Sequence, residues 1–291
     1  MDPQQDDEYL RYAVTRVAPY RNVWRAMANE FDFIDPPKDW DHIFQMVNAL
    51  DPYHHLRGIH KRYMLYDHAE PWVTHCVIQL QTGDGYAVAL GARPKYNKPV
   101  IIDEYGYEGN NGARRGNPSA HREVLRYGDF AMAGAYRSHR ETYVHPGDIL
   151  WWAVGSTLVG ESPARLAFLK KILSEAPYQN LEPNPSIIKG GVALAVKNEY
   201  CLLYFSAANL KYIAEVQIEG AGPFDLELIG PWLMKIYKVG LVKTGHHAFR
   251  PKCTSSLLWI TRSSQSSSVT RSIDEILWHS QVEWESRLMH D

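Results

Sequence analysis

The sequence is poor in cysteine, and this argues against both a structural zinc site and a disulfide framework. The 291 residues include three cysteines, Cys76, Cys201 and Cys253, which lie far apart. They show neither the close spacing of a zinc-ligand set nor a disulfide framework. The pairs His54-His55 and His246-His247 also lack helical spacing or a nearby carboxylate cluster. We therefore expect no metal site, and we expect the three cysteines to be buried small apolar residues.

An excess of charge of one sign is also missing, as are long apolar runs. The formal net charge is −2, which gives no electrostatic basis for binding nucleic acid or an anionic membrane. No apolar run reaches the roughly 20 residues of a membrane span, and the acidic start has no signal-like region. There is no glycine-rich phosphate loop and no nucleophile elbow. We expect a cytoplasmic protein that needs no cofactor.

Amphipathic helices and short apolar strands alternate over the first 175 residues. This alternation predicts βα units and a parallel sheet, hence an α/β fold. The helices are predicted at 7–20, 40–50, 86–96, 118–135 and 164–175. The strands are predicted at 22–29, 56–60, 74–79, 99–104 and 136–144.

Short β segments without intervening helices follow residue 185. They are predicted at 192–196, 200–206, 213–218, 224–229, 233–237 and 257–261, and they indicate a small antiparallel β-sandwich domain. Prolines at 177, 183 and 185 mark a linker before them. The predicted domains are therefore 1–180, 181–265 and a tail, 266–291, whose structure the sequence does not indicate.

Two predicted strands lead into a glutamate. Residues 22–29 run into Glu30, and residues 99–103 run into Glu104. In a (β/α)8 barrel the active site lies at the carboxyl ends of the strands, and glycoside hydrolysis needs a pair of carboxyl groups. We predict that Glu104 is the nucleophile and Glu30 the acid/base. An inverting reaction, with the carboxyl groups further apart, stays open.

Seven further residues are candidates for substrate binding because they lie near the predicted strand ends. They are Asn29, His60, Gln79, Tyr105, Glu141, Trp151 and Trp152. Polar side chains can hydrogen-bond sugar hydroxyls, and aromatic rings match the apolar face of a pyranose. A histidine at a strand end is as often a structural residue, and a Trp pair also packs well in a core.

Several strings of residues resemble one known family of glycoside hydrolases. The most specific is Asp103-Glu104-Tyr105-Gly106-Tyr107-Glu108-Gly109. The others are 9–12, 20–23, 28–32, 59–60, 98–102, 141–143, 150–152 and 160–163. Together they resemble the region from the fourth strand onward of provisionally assigned glycoside hydrolases with a DUF4038-type catalytic barrel. The part after residue 185 resembles the DUF5605-type domain that follows such barrels.

The resemblance implies a retaining glycosidase acting on plant or microbial oligosaccharides. The family barrel has three βα units before the region that this chain matches, so we expect a partial (β/α)8 TIM-type barrel of about strands four to eight. A partial barrel has open sheet edges, which favour association, and we expect a dimer that covers them. The alternative is a non-catalytic carbohydrate-binding protein or a degenerate remnant of such an enzyme.

Overall fold

The computed structural model describes residues 2–80, 84–112, 117–147, 149–150, 157–177, 180–205, 213–249, 256–262 and 273. The helices are α1 (Pro3–Val17), α2 (Trp40–Leu50), α3 (Gly85–Tyr96), α4 (Ala120–Met132) and α5 (Ser162–Glu175). The first nine strands are β1 (Trp24–Ala26), β2 (Leu56–Gly58), β3 (Cys76–Gln79), β4 (Val100–Glu104), β5 (Glu108–Gly109), β6 (Tyr136–Arg137), β7 (Glu141–Thr142), β8 (Val144–His145) and β9 (Ile149–Leu150). The other nine are β10 (Glu182–Pro183), β11 (Ile188–Lys189), β12 (Val192–Val196), β13 (Tyr200–Phe205), β14 (Ala214–Ile218), β15 (Phe224–Gly230), β16 (Lys235–Val242), β17 (Gly245–Phe249) and β18 (Ser256–Arg262).

The chain forms two compact units. The first unit contains residues 1–105 and 135–139, and the second contains 106–134 and 140–291. The domain boundaries predicted from the sequence, at residues 180 and 265, stay predictions. In the part of the chain that the structure describes, none of the helices has the length and apolarity needed to cross a membrane.

The first unit is built on parallel strands, as the alternating pattern predicts. β1 pairs with β2, and β4 lies between β3 and β6, all in parallel. The backbone N–H of Thr74 donates to the carbonyl of Arg57 at 3.0 Å, so the chain entering β3 runs beside β2. All four residues of β3 are buried, which is typical of a strand covered on both faces.

Helix α2 has the bounds that its apolar stripe predicts. The side chain of Asp39 accepts a hydrogen bond from the backbone N–H of His42 and caps the start of the helix. Ile43, Phe44 and Val47 are buried on its inner face. Phe44 packs in a cluster whose other buried members are Phe31, Ile59 and Val73. This cluster anchors the chain immediately after β1, after β2 and before β3.

A buried ionic group follows α2. Asp51, which is fully buried, contacts Arg25 Nε at 3.1 Å and His55 Nδ1 at 2.9 Å. Although burial opposes ionisation, the hydrogen bonds from His55 and Arg25 lower the pKa of Asp51 to about 2. The other ring nitrogen of His55 lies 3.0 Å from the carbonyl of Tyr20. These contacts fix the start of β2 against β1.

The predicted strand at 22–29 is wrong in its extent. β1 covers only Trp24–Ala26, and Glu30 adopts a left-handed backbone with φ 48° at the start of the 3-10 helix Phe31–Phe33. Backbone hydrogen bonds to the chain after β2 still continue beyond β1, from His60 to Ala28 at 3.2 Å and from Phe31 to His60 at 2.9 Å. The left-handed turn therefore ends the regular ladder while leaving the two segments side by side.

The second unit contains α4, α5 and two larger antiparallel sheets. One sheet has the order β10-β12-β13-β18-β15-β16, and the other has the order β11-β14-β17. Both contribute to one apolar core, with members such as Ala193, Leu203, Val216, Leu226 and Phe249. The predictions for β12 and β13 agree with the structure to within one residue.

Other predicted boundaries were wrong. The segment 136–144 breaks into β6, β7 and β8, and the segment 233–237 is the longer β16. The predicted linker contains β10, a 3-10 helix (Pro185–Ile187) and β11, and β17 was not predicted. Most of the tail lies outside the described residues, but Ile273 is fully buried in the apolar core of the second unit.

Candidate functional site

Four side chains meet at the carboxyl ends of the parallel strands of the first unit. Glu104 and Gln79 are the last residues of β4 and β3, His60 follows β2, and Glu30 follows β1. One carboxylate oxygen from each glutamate and one ring nitrogen of His60 lie within 4.8 Å of one another. The structure thus brings together both predicted catalytic residues and two of the predicted binding residues.

Glu30 is held by two neighbours. Its Oε1 accepts a hydrogen bond of 3.2 Å from the side-chain amide of Gln79. Its Oε2 lies 3.5 Å from Nη1 of Arg62. The left-handed backbone at Glu30 is a conformation that costs a non-glycine residue free energy, and such residues cluster at functional sites. The carboxylate is therefore placed by contacts from β3 and from the loop after β2.

Glu104 is buried and lies beside β3. Gln79 and Glu104 are partners in the parallel register, and the backbone N–H of Leu80 donates to the Glu104 carbonyl at 2.9 Å. The carboxylate oxygen Oε2 of Glu104 lies 3.6 Å from Nε2 of His60. Backbone pairing thus fixes the base of this side chain, and an imidazole faces its tip.

His60 connects the two adjacent carboxylates of β4. Its Nδ1 lies 2.6 Å from Oδ2 of Asp103, and its Nε2 has no hydrogen-bond partner among the described residues. Burial favours the neutral ring, but the hydrogen bond with Asp103 and the charges of Asp103, Glu104 and Glu30 outweigh it and raise the pKa of His60. The protonated imidazole can therefore offset negative charge in this cluster.

Glu30, His60 and Glu104 offer donor atoms of the kind that bind divalent cations. However, Glu30 is already paired with Arg62 and bound by Gln79, and His60 is held by Asp103. Because protein groups already contact both Glu30 oxygens and Nδ1 of His60, we assign no metal to the cluster. The absence of a metal from the protein stays a prediction.

Asn29 and Tyr105 each flank one of the two glutamates in the chain. Asn29 is exposed, and Tyr105 is half-buried. The Tyr105 carbonyl accepts a hydrogen bond of 3.0 Å from Nη2 of Arg137, and the Arg137 guanidinium carbon lies 6.0 Å from the Tyr105 ring centroid. Their predicted contacts with a substrate stay predictions.

Glu141 has structural partners in the second unit. It accepts hydrogen bonds from the backbone N–H of Val159 at 2.8 Å and of Gly160 at 3.1 Å. Glu108 binds the next residues in the same way, accepting from the backbone N–H of Glu161 at 2.8 Å and of Ser162 at 3.1 Å. The two carboxylates therefore hold the chain at the start of α5, and a sugar contact by Glu141 stays a prediction. Trp151 and Trp152 lie outside the described residues.

The sequence analysis did not identify Arg62, Phe33 and Tyr63 as neighbours of Glu30. The guanidinium carbon of Arg62 lies 4.4 Å from the ring centroid of Phe33 and 5.1 Å from that of Tyr63. Asp32 accepts hydrogen bonds from the backbone N–H groups of Arg62, Tyr63 and Met64 at 2.6, 2.7 and 2.7 Å. A signal was present, because Phe33 and Tyr63 each come three positions after a candidate site residue, Glu30 and His60.

Comparison with known proteins gives matches among solved structures. No family model matches the chain, and no curated protein matches it. A provisionally assigned glycoside hydrolase from Bacteroides vulgatus ATCC 8482 is 28% identical, with a TM-score of 0.79, and the match covers 90% of this chain and 56% of that one. A glycoside hydrolase family 5 protein from the same organism is 17% identical, with a TM-score of 0.74 over 96% of this chain and 72% of that one. A further glycoside hydrolase is 17% identical, with a TM-score of 0.74 over 91% of this chain and 70% of that one.

These matches support a TIM-type glycosidase fold for the chain. They agree with the mixed α/β architecture and with the parallel strands of the first unit. The chain spans 56% of the length of the first of these relatives. We therefore treat the activity of this protein as a proposal.

Proposed function

We propose that this protein is a glycoside hydrolase that acts with retention of configuration through Glu104 and Glu30. The observation that carries the proposal is that one carboxylate oxygen of Glu104 and one of Glu30 lie within 4.8 Å of each other at the carboxyl ends of parallel strands. Retaining enzymes hold the two carboxyl groups about 5–5.5 Å apart, whereas inverting enzymes need about 6.5–9.5 Å. Similarity to glycoside hydrolase structures supports the same class.

In the first step Glu104 attacks the anomeric carbon of the sugar. The bond from this carbon to the leaving oxygen breaks while Glu30 donates its proton to that oxygen. A covalent bond forms between the sugar and the Glu104 carboxylate. Because Gln79 and Arg62 hold the two oxygens of Glu30, the acid is oriented before substrate arrives.

In the second step Glu30 takes a proton from water, and the water oxygen attacks the anomeric carbon. The bond to Glu104 breaks, and its carboxylate is restored. The imidazole of His60, 3.6 Å from Glu104 and held by Asp103, can stabilise the returning negative charge. The substrate is an oligosaccharide or other glycoside, and the reaction needs no cofactor.

The finer classification is part of the same proposal. The residue strings around Glu30 and Glu104 resemble the DUF4038-type barrel, and the sequence after residue 185 resembles the DUF5605-type domain. We propose a partial barrel of about strands four to eight, whose open edges a second copy covers in a dimer. A chain that stays monomeric in light scattering at micromolar concentration would contradict the dimer.

A non-catalytic carbohydrate-binding protein is the second candidate. The match covers 56% of the first of these relatives, so the similarity to a glycoside hydrolase extends over part of that protein. Such a protein would bind oligosaccharides without hydrolysing them, and replacing Glu104 would change affinity alone.

The test is hydrolysis of a panel of 4-nitrophenyl glycosides by the wild type, Glu104→Gln and Glu30→Gln. We expect Glu104→Gln to lose activity by about 10⁴-fold or more, as expected when a covalent nucleophile is removed. Azide should restore turnover in Glu30→Gln, because it attacks the intermediate without needing a base. Glu8→Gln, on the exposed face of α1, is the matched control.

The outcomes separate the two candidates. Nitrophenol release that disappears in Glu104→Gln, with retained configuration in the first-formed product by NMR, supports the proposal. Release that persists in Glu104→Gln would overturn the assignment of the nucleophile. A folded wild type that binds sugars without turnover would favour the binding protein.

A further inference from the structure

We propose that Phe33 and Tyr63, with Arg62 between them, bind the leaving group of the glycoside. This inference rests on the proposed function, because it places a second part of the substrate beside Glu30. The three side chains are called the aromatic clamp below. The clamp would accept a ring with an apolar face, which in an oligosaccharide is the pyranose released by the first bond cleavage.

The clamp combines exposed aromatic surface with a charged centre. The residues Phe33 and Tyr63 are 66% and 68% exposed, and the neighbouring Met64 is 61% exposed. Single exposed apolar residues are ordinary, but these two rings both lie against one guanidinium, at 4.4 and 5.1 Å. They therefore form one continuous patch that offers ring surface to a ligand.

The chain around the clamp is fixed, although its rings are exposed. Three backbone N–H groups, those of Arg62, Tyr63 and Met64, donate to the carboxylate of Asp32. The backbone N–H of Phe33 donates to the carbonyl of Glu30 at 2.9 Å. Rigid aromatic side chains lose little entropy when they bind a ligand, and this suits a binding surface.

The contact between Arg62 and Glu30 indicates that the clamp binds the leaving group. Nη1 of Arg62 lies 3.5 Å from Oε2 of Glu30, so the clamp adjoins the acid/base rather than the nucleophile. The acid/base protonates the leaving oxygen, and the group attached to that oxygen must therefore extend past Glu30. The apolar face of a pyranose can stack on an aromatic ring, and the guanidinium can donate to its hydroxyl groups.

The test compares leaving groups on one sugar. For the sugar that the wild type hydrolyses, kcat/KM is measured with the 4-nitrophenyl glycoside, with a disaccharide and with the glycosyl fluoride. The fluoride leaves without a ring. We expect Phe33→Ala and Tyr63→Ala to lower kcat/KM about tenfold for the two substrates with a ring and less than about twofold for the fluoride.

Two controls are available. Tyr63→Phe keeps the ring and should keep at least about half of the wild-type kcat/KM with all three substrates. Tyr12→Ala removes an exposed ring (62%) that also lies under an arginine, Arg16 at 4.8 Å, but on α1. It should change none of the three values.

Each outcome decides a different question. A loss confined to the disaccharide and the nitrophenyl glycoside supports the clamp, and a loss with the nitrophenyl glycoside alone overturns its assignment to a pyranose. An equal loss with the fluoride, or no loss at all, overturns the clamp while the proposed activity stands. Failure of the wild type to hydrolyse any substrate overturns the proposed activity, and the clamp with it.

Discussion

The side-chain amide of Gln79 donates a hydrogen bond of 3.2 Å to Oε1 of Glu30. The backbone of the same residue is the register partner of Glu104 in the parallel sheet. Gln79 is fully buried, so its position is set by the packing of β3. One residue therefore connects both carboxylates, through its side chain to Glu30 and through its backbone to the strand of Glu104.

Replacing Gln79 by leucine removes the donor while keeping a similar volume. We expect kcat/KM to fall by about 2- to 10-fold, because an acid that donates its proton is uncharged and a hydrogen bond to an uncharged group contributes about 0.5–1.5 kcal/mol. Activity and thermal unfolding are measured together on a hydrolysed aryl glycoside. If Gln79→Leu keeps wild-type activity and melts normally, the amide does not orient the acid/base.

The stability of the protein should depend on pH through His60. The pKa of His60 is raised in the fold, because the hydrogen bond with Asp103 and the nearby negative charges outweigh burial. Protonated His60 therefore adds stability fully below its unfolded pKa, about 6.5, and this stability is lost as the pH rises through the folded value. His60→Gln should destabilise the protein more at pH 6 than at pH 8.5.

Unfolding by urea at both pH values measures this difference. The charges that face His60 are those of Asp103 and Glu104 on β4 and of Glu30 after β1, and Lys61 faces Asp103. Asp103→Asn should reduce the pH dependence, because it removes the charge at Nδ1. An equal loss of stability at pH 6 and pH 8.5 in His60→Gln would contradict the assignment.

Removing the Asp32 carboxylate should loosen the loop after His60. Burial raises the pKa of Asp32, but hydrogen bonds from the backbone N–H groups of Met64, Arg62 and Tyr63 outweigh burial and lower the pKa overall. The carboxylate is therefore an ionised acceptor at neutral pH. In Asp32→Ala these three amides should exchange with deuterium about tenfold faster or more. Amides of α2 serve as the internal reference, and unchanged protection of residues 62–64 would exclude the role.

Two glycines in helices should respond oppositely to alanine. In α3, nothing lies within 4 Å of a Cβ built on Gly91, so Gly91→Ala should stabilise the protein by about 0.5–1 kcal/mol. In α4, a Cβ on Gly128 would lie 2.4 Å from Cζ of Tyr204. The Tyr204 ring is fully buried, and its hydroxyl donates to the Leu125 carbonyl at 2.9 Å, so it cannot move away freely.

We therefore expect Gly128→Ala to destabilise the protein by about 1–3 kcal/mol, despite the better helix propensity of alanine. Urea unfolding of the two variants beside the wild type measures both changes. If Gly128→Ala stabilised the protein as Gly91→Ala does, the Tyr204 ring would be able to move away from the added methyl group.

Local patterns predicted some elements well and left others unseen. The bounds of α2 followed from its apolar stripe, and those of β12 from the apolar run Val192–Val196. The left-handed turn at Glu30 could not be predicted, because it depends on hydrogen bonds to a segment thirty positions later. The hydrogen-bond partners of Glu141, 18 and 19 positions later in the chain, could not be predicted from a local pattern either.

The backbone of Glu30 carries a further consequence. Its φ of 48° is a conformation that glycine adopts freely and that other residues adopt at a cost of about 1–2 kcal/mol. Glu30→Gly should therefore relieve strain while removing the proposed acid/base. Selection for folding alone would favour that exchange, and selection for turnover would oppose it. A glutamate in this turn sets thermodynamic stability against catalysis at a single residue.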